Sequence, residues 1–226
     1  LAEATGRPGG NLVSNGAHAG VATESGTASG SGQARVTGAA VLMAAAELKA
    51  DLDGAGGDLS ALEGLEYSAE FFDPTDKLGS DKPNPKSHVA YGFATHVVIL
   101  DDDGRVKEVW AAHDSGKVVN PISIQGQTEG GALMGLGYAL SEKRRFDENT
   151  GRPRNGNLLD YKLLTCLDHP HLEALFCENA EPTSPFGTKA LGEPPACPPA
   201  PAIRNAVMQA TGIAFDAIPI TPEALY

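Results

Sequence analysis

At 226 residues, with 41% hydrophobic and 20% charged side chains, the chain has an ordinary globular composition and room for a core of one or two domains. Its 17 Lys+Arg against 29 Asp+Glu leave a net charge of −12, which argues against a nucleic-acid partner or an anionic membrane surface. The longest apolar stretch, residues 39–46, is far too short to span a bilayer, and residues 1–10 lack the basic end and apolar run of a signal peptide. Cys166, Cys177 and Cys197 are odd in number and unpatterned. They speak against a disulfide framework, a zinc site or an iron–sulfur cluster within this chain, and for a reducing, cytoplasmic compartment. Leu1 is not an initiator Met, so the chain reads as part of a longer protein.

Residues 1–35 are rich in Gly, Ser, Thr, Asn and Ala, and read either as a flexible linker or as a loop whose backbone approaches a ligand closely. Residues 36–52 turn to Ala, Leu, Met, Glu and Lys, which predicts a helix capped by Thr37 and ended at Asp53-Gly54. A strand is expected over 66–72 and a proline-rich loop over 73–86. Residues 88–100 and 106–112, joined by Asp101-Asp-Asp-Gly104, predict a β-hairpin. Residues 121–140 read as a helix in which Gln127, Gly131, Gly135 and Ala139 recur every fourth residue, a stripe almost without side chains. Leu133, Leu136 and Leu140 form its core-facing stripe. Each interior glycine costs on the order of 1 kcal/mol against Ala, so something must approach that bare stripe closely: a packed sheet or a bound ligand. Residues 144–147 and 158–166 flank a turn at 149–153, and 172–177 form another strand. Residues 185–201 cross the molecule with many prolines. A final helix over 200–211 buries Ile203, Ala206, Val207 and Ala210 and stops at Gly212. Short strands mixed with helices, without regular alternation, predict an α+β fold.

Among chemistry-bearing residues, Glu193 in Phe186-Gly-Thr-Lys-Ala-Leu-Gly-Glu-Pro-Pro195 stands out. The prolines after it predict an extended, stiff backbone, and the carboxylate is either a surface group or a positioned general base. His113-Asp114 ends a strand, where neighbours point to opposite faces, so it reads as structural. His169 and His171 have no carboxylate or cysteine at ligand spacing. Phosphate-loop, serine-hydrolase and zinc-protease motifs are missing from the sequence.

Four segments, in order, resemble the molybdenum hydroxylases of the xanthine dehydrogenase/aldehyde oxidase family. They are Gly26-Thr-Ala-Ser-Gly-Ser-Gly-Gln33 with the helix after it, His113-Asp-Ser-Gly-Lys-Val-Val-Asn-Pro121, Gln125-Gly-Gln-Thr-Glu-Gly-Gly131 and Phe186–Pro195. The similarity runs over roughly residues 20–215 and covers only the C-terminal half of the family's molybdenum-binding large subunit. Gly32 and Ala34 depart from the pattern, standing where many members carry Arg and Thr.

The resemblance implies a C-terminal molybdenum-cofactor-binding domain of α+β type, mixing short strands with packing helices. Residues 1–35 would be a glycine-rich cofactor-binding loop region and 36–226 the molybdopterin-binding α+β domain, either a single domain or half of a larger two-part domain. Glu193 matches the family's catalytic glutamate, which takes a proton from a molybdenum-bound hydroxyl as its oxygen attacks an electron-poor carbon. Ser31, Gln33, Gln127 and Lys189 match cofactor-binding positions. No residue is expected to ligate the metal, because the pterin dithiolene does. The implied cofactor is molybdenum-molybdopterin, with the cytosine dinucleotide as one form. Iron–sulfur clusters and FAD are expected on partner domains or subunits, beside the missing N-terminal half. The implied activity is hydroxylation of an N-heterocycle, such as a purine, or of an aldehyde, with water as oxygen source. Two alternatives stand beside it: a non-catalytic assembly half-subunit, and a reductase on the same scaffold.

Overall fold

A computed structural model describes residues 1–11, 13, 20, 27–73 and 75–225. Much of the expected glycine-rich loop region, including Gly26 at the start of its motif, lies outside the described residues. The chain divides into two compact units, residues 1–91 with 180–189, and residues 92–179 with 190–226.

In the first unit a one-turn helix α1 (Ala2–Thr5) precedes the long helix α2 (Gln33–Gly54). Helix α2 begins four residues before the expected cap. Gly30 and Ser31 are left-handed (φ 63° and 55°), and the Gly32 N–H donates to the Ser29 carbonyl at 3.3 Å, so the chain is already turned into the helix by Gly32. Thr37 is therefore interior, and its Oγ1 accepts from Gln33 Nε2 at 2.6 Å. The strand expected over 66–72 does not form. Those residues have no ladder partner, and an extended segment needs one to satisfy its N–H and C=O groups. A polar cluster links α2 to Asp73 and to the 180–189 segment. Arg35, 9% exposed, donates to both carboxylate oxygens of Asp73 (2.7 and 2.8 Å) and to Thr183 Oγ1 (2.8 Å). A Cβ on Gly38 would lie 3.1 Å from Pro185 Cγ, so α2 and the 180–189 segment pack tightly.

The second unit holds a three-stranded sheet ordered β1 (Ala94–Leu100), β2 (Val106–Asp114), β3 (His171–Cys177). Strands β1 and β2 are the expected hairpin, although β1 starts six residues later than the apolar run suggested. Its turn is built by Asp101, whose Oδ1 accepts from the Asp103 and Arg105 amides, and by Gly104 at φ 79°. Strand β3 joins β2 in parallel, which requires a long crossover. That crossover carries α3 (Pro121–Leu140), whose limits match the sequence reading. Helix α4 (Pro199–Thr211) ends at Gly212 (φ 76°) as expected. Ile203 and Val207 are buried, Ala206 is half-buried, and Ala210 is exposed rather than part of the buried face. The core gathers Val109, Ala111 and Leu172 from the sheet, Ala132, Leu136 and Ala139 from α3, Ile203 and Val207 from α4, and Ile220. The fold is α+β, as the element pattern predicts. No helix among the described residues is long and apolar enough to cross a membrane.

Candidate functional site

Helix α3 is the platform of the second unit. Asn120 caps it, its Oδ1 accepting from the Ser123 amide at 3.0 Å, and Pro121 begins the first turn, where its missing N–H costs nothing. The bare stripe is covered by neither alternative considered for it, a packed sheet or a flat ring. A Cβ on Gly131 would lie 2.7 Å from Pro195 Cβ, and one on Gly135 would lie 2.7 Å from both the Ala196 carbonyl oxygen and Pro199 Cγ. Gly131 and Gly135 are buried by the chain's own proline-rich segment, so no face is left there for a ring or a partner.

This packing explains the glycines and anchors the catalytic candidate. Leu191, Pro195 and Pro199 are buried, while Glu193 between them stays exposed. Its backbone is not extended as the following prolines predicted, but right-handed helical (φ −92°, ψ −36°), capping a 3-10 turn Pro194–Ala196. The Ala196 amide donates to the Glu193 carbonyl at 3.0 Å, and with the seating of Pro195 on Gly131 this offsets the pre-proline preference. One helical turn before Gly131, Gln127 donates Nε2 to the Gly192 carbonyl at 2.7 Å. A carbonyl can only accept, so the amide nitrogen faces the protein and Oε1 is directed elsewhere. Gln127 and Glu193 are thus joined through the residue next to the carboxylate.

Ser31, Gln33 and Lys189 belong to the first unit. Ser31 is one of two non-glycine residues at positive φ among those described; the other is Phe186 (φ 53°), which is followed by Gly187 (φ 78°). Non-glycine left-handed residues cost on the order of 1 kcal/mol or more and concentrate at functional sites. Both fall inside motifs singled out from the sequence. Gln33 is exposed at the first turn of α2, which carries no side-chain cap and no acidic residue. Lys189 is half-buried at the end of the 180–189 segment; the Thr183 hydrogen bonds, and after them the charges of Arg35 and Lys189, hold Glu181 below the usual carboxylate range.

The sequence reading missed His96. By register it lies diagonally across from His113 on the inward face, and the two Nε2 atoms meet at 2.8 Å with the rings edge to face. His96 is 8% and His113 1% exposed, and both Nδ1 atoms are buried without a partner. Burial, with the charge on His113 second, pushes His96 down to about 4; burial alone lowers His113. The Asp-Gly turn that sets the register carried the signal for this pair. The Arg35–Asp73 pair, 38 residues apart, had no local signal at all. His171 is exposed, as is His169, with its ring 4.0 Å from Glu173. Among the described residues no three His, Cys, Asp or Glu side chains gather into a metal-ligating group.

Comparison with known proteins places these motifs in context. The sequence profile of the molybdopterin cofactor-binding domain matches residues 12–170. The putative xanthine dehydrogenase molybdenum-binding subunit XdhA of Escherichia coli K12 is 50% identical over 121 residues, which are 54% of this chain and 16% of that protein. The aldehyde oxidoreductase molybdenum-binding subunit PaoC of the same organism is 30% identical over 76% of this chain and 22% of its own. Among solved structures, the aldehyde oxidoreductase of Desulfovibrio gigas superposes on 88% of this chain with a TM-score of 0.73 and 25% identity, matched over 23% of its own length. The chain therefore spans about a sixth to a quarter of the length of these relatives. With more than half of its residues matched by one profile, and its fold reproduced in the structure of the Desulfovibrio gigas aldehyde oxidoreductase, the chain belongs to the molybdopterin cofactor-binding domain family.

Proposed function

We propose that this chain supplies the general base and part of the pterin cradle of a molybdenum-dependent hydroxylase acting on an N-heterocycle, such as a purine, or on an aldehyde. The observation that carries the reading is the way Glu193 is held. Its carboxylate is exposed while the residues on both sides are locked, by Gln127 at Gly192 and by the α3 glycines at Pro195. A carboxylate on a backbone with little freedom keeps one position relative to a reacting group, which is what proton transfer in a transition state needs.

The residues also suit the cofactor. In the first unit Ser31 offers a hydroxyl on a strained turn, Gln33 an amide oxygen, and the uncapped first turn of α2 backbone N–H donors; in the second unit Gln127 offers its Oε1. Polar groups of these kinds suit a polar heterocycle bearing its own metal ligands. When bound, the molybdenum cofactor supplies two-electron oxidation of the substrate carbon with water as the oxygen source. Glu193 accepts the proton released as the new C–O bond forms, and Gln127, anchored by its nitrogen, presents Oε1 as a fixed acceptor. Ser31, Gln33 and Lys189 hold the pterin, in the cytosine dinucleotide or a simpler form. Iron–sulfur clusters and FAD sit on partner domains or subunits, in a cytoplasmic complex.

Replacing Glu193 by Gln in the native complex tests this. Turnover should fall by about 10²–10⁴-fold while molybdenum and pterin content stay unchanged. Unchanged turnover would remove Glu193 from the chemistry, and a complex devoid of molybdenum and pterin would overturn the reading as a whole.

A further inference from the structure

Among the described residues, the helices that pack on the sheet of the second unit lie on one of its faces. Strand alternation turns Val109 and Ala111 inward into the core, and Val97, Ile99, Trp110, Ala112 and Leu175 outward. Register sets Val97 opposite Trp110 and Ala112 opposite Leu175, so the outward residues form one continuous patch. Val97 is 54%, Leu175 45%, Ile99 40% and Trp110 38% exposed. A sheet with one solvated face alternates apolar with polar residues; strands apolar on both sides are the pattern of a sheet buried on both faces.

We infer that this outer face docks against a segment of the molybdenum-binding subunit outside the present chain, one presenting an apolar stripe flanked by Lys or Arg. The inference rests on the functional reading above. Charge decides the kind of partner. Glu173 pairs with Trp110 across the ladder, and Glu108 accepts from Trp110 Nε1 at 3.2 Å, so two carboxylates rim the patch. Among the described contacts, Lys107 at 3.6 Å from Glu108 and the His171 ring at 4.0 Å from Glu173, a cation only when protonated, are the basic groups beside them. A second copy of this chain would bring like charges together on a molecule already at −12, whereas a basic amphipathic segment would pair with them. Relatives have chain beyond the match from which such a segment could come, since the match takes up only 16% of the Escherichia coli subunit and 23% of the Desulfovibrio gigas enzyme.

The chain has a single tryptophan, Trp110, at the centre of the patch. Grown with 5-fluorotryptophan it gives one ¹⁹F resonance from this face. The test mixes or co-expresses the labelled full chain with the part of the Escherichia coli subunit outside its matched segment, and follows both co-purification and the ¹⁹F line. Association with a shifted line, weakened about 30-fold or more by Trp110→Glu or Val97→Lys but not by Leu78→Glu in the first unit, supports the proposal. Circular dichroism of each variant reports that it is folded, and the labelled unmutated chain keeps the test valid if one is not. Association with an unmoved line and full binding by both variants overturns the docking face while leaving the subunit reading intact. A line that shifts with chain concentration alone assigns the face to a second copy and also overturns the proposal. No association at all also overturns the proposal. Molybdenum and pterin measured in the purified pair judge the functional reading separately.

Discussion

Acidification should strike the second unit through His96 and His113. If both rings are neutral, one Nε2 carries the hydrogen of their 2.8 Å bond and the other accepts it. The donor ring then has a bare Nδ1 lone pair and the acceptor ring an Nδ1–H, and both are buried without partners. Each unmet group costs about 1–3 kcal/mol. Protonation makes matters worse, since it adds a charge where the buried residues of α3 and α4 include no titratable group. An unfolded histidine titrates near 6.5, while burial and the charge on His113 lower His96 to about 4 in the folded chain. Between those values the unfolded state binds more protons, so stability is full above about pH 6.5 and declines as pH falls toward 4. A shift of this size corresponds to about 3 kcal/mol, with His113 adding in the same direction. Urea titrations followed by Trp110 fluorescence, which reports on β2 itself, should show this loss between pH 7 and 4.5. The double variant His96→Leu/His113→Leu should be flat over that range and at least as stable at pH 7, because both polar partners leave together. Asp147, held low mainly by its hydrogen bond from Arg154, and Asp76, by Lys82, lose their stabilisation at still lower pH in both proteins. A wild-type stability independent of pH from 7 to 4.5, or a double variant that keeps the slope, would refute the reasoning.

Two adjacent regions of α3 should respond in opposite ways to the same change. Gly135→Ala gains about 1 kcal/mol of helix propensity but puts a Cβ at 2.7 Å from Ala196 O and Pro199 Cγ, so thermal melts should show a net loss of about 1–3 kcal/mol, with turnover falling as Glu193 shifts. Gly130→Ala, with nothing within 4 Å, should stabilise by about 0.5–1 kcal/mol; equal effects at the two sites would refute the packing account. In the first unit, Asp73→Ala strands a guanidinium that is 10% exposed, at a cost of about 3–5 kcal/mol read as faster amide exchange along α2. An unchanged exchange pattern would mean that the ion pair is dispensable.

How much was legible in the sequence follows from how local each signal is. Asn120-Pro121 and the 3.6-residue period define α3 within one segment, and the Asp101–Gly104 turn defines the hairpin. Gly212 ends α4 because its own φ of 76° suits no larger residue well. Four ordered motifs pointed to the family that the profile match and the fold bear out. For these features the chemistry that acts lies within a few residues of the feature itself.

The occupant of the glycine stripe is a different matter. Gly131 and Gly135 declare that something comes close, but Pro195 and Pro199 lie some 60 residues away, and only packing reveals that they fill the space. The same contact holds Glu193 in a helical conformation that its prolines alone would disfavour. His96 and His113 are unremarkable apart until strand register buries them against each other, and residues 66–72 have strand composition without a strand to pair with. Sequence by itself determined the elements with strong local signals and the family, and it nominated the residues that could carry chemistry. Tertiary structure decided which of them are buried, which are paired and how Glu193 is held, because those outcomes depend on the shape of surfaces far apart in the chain.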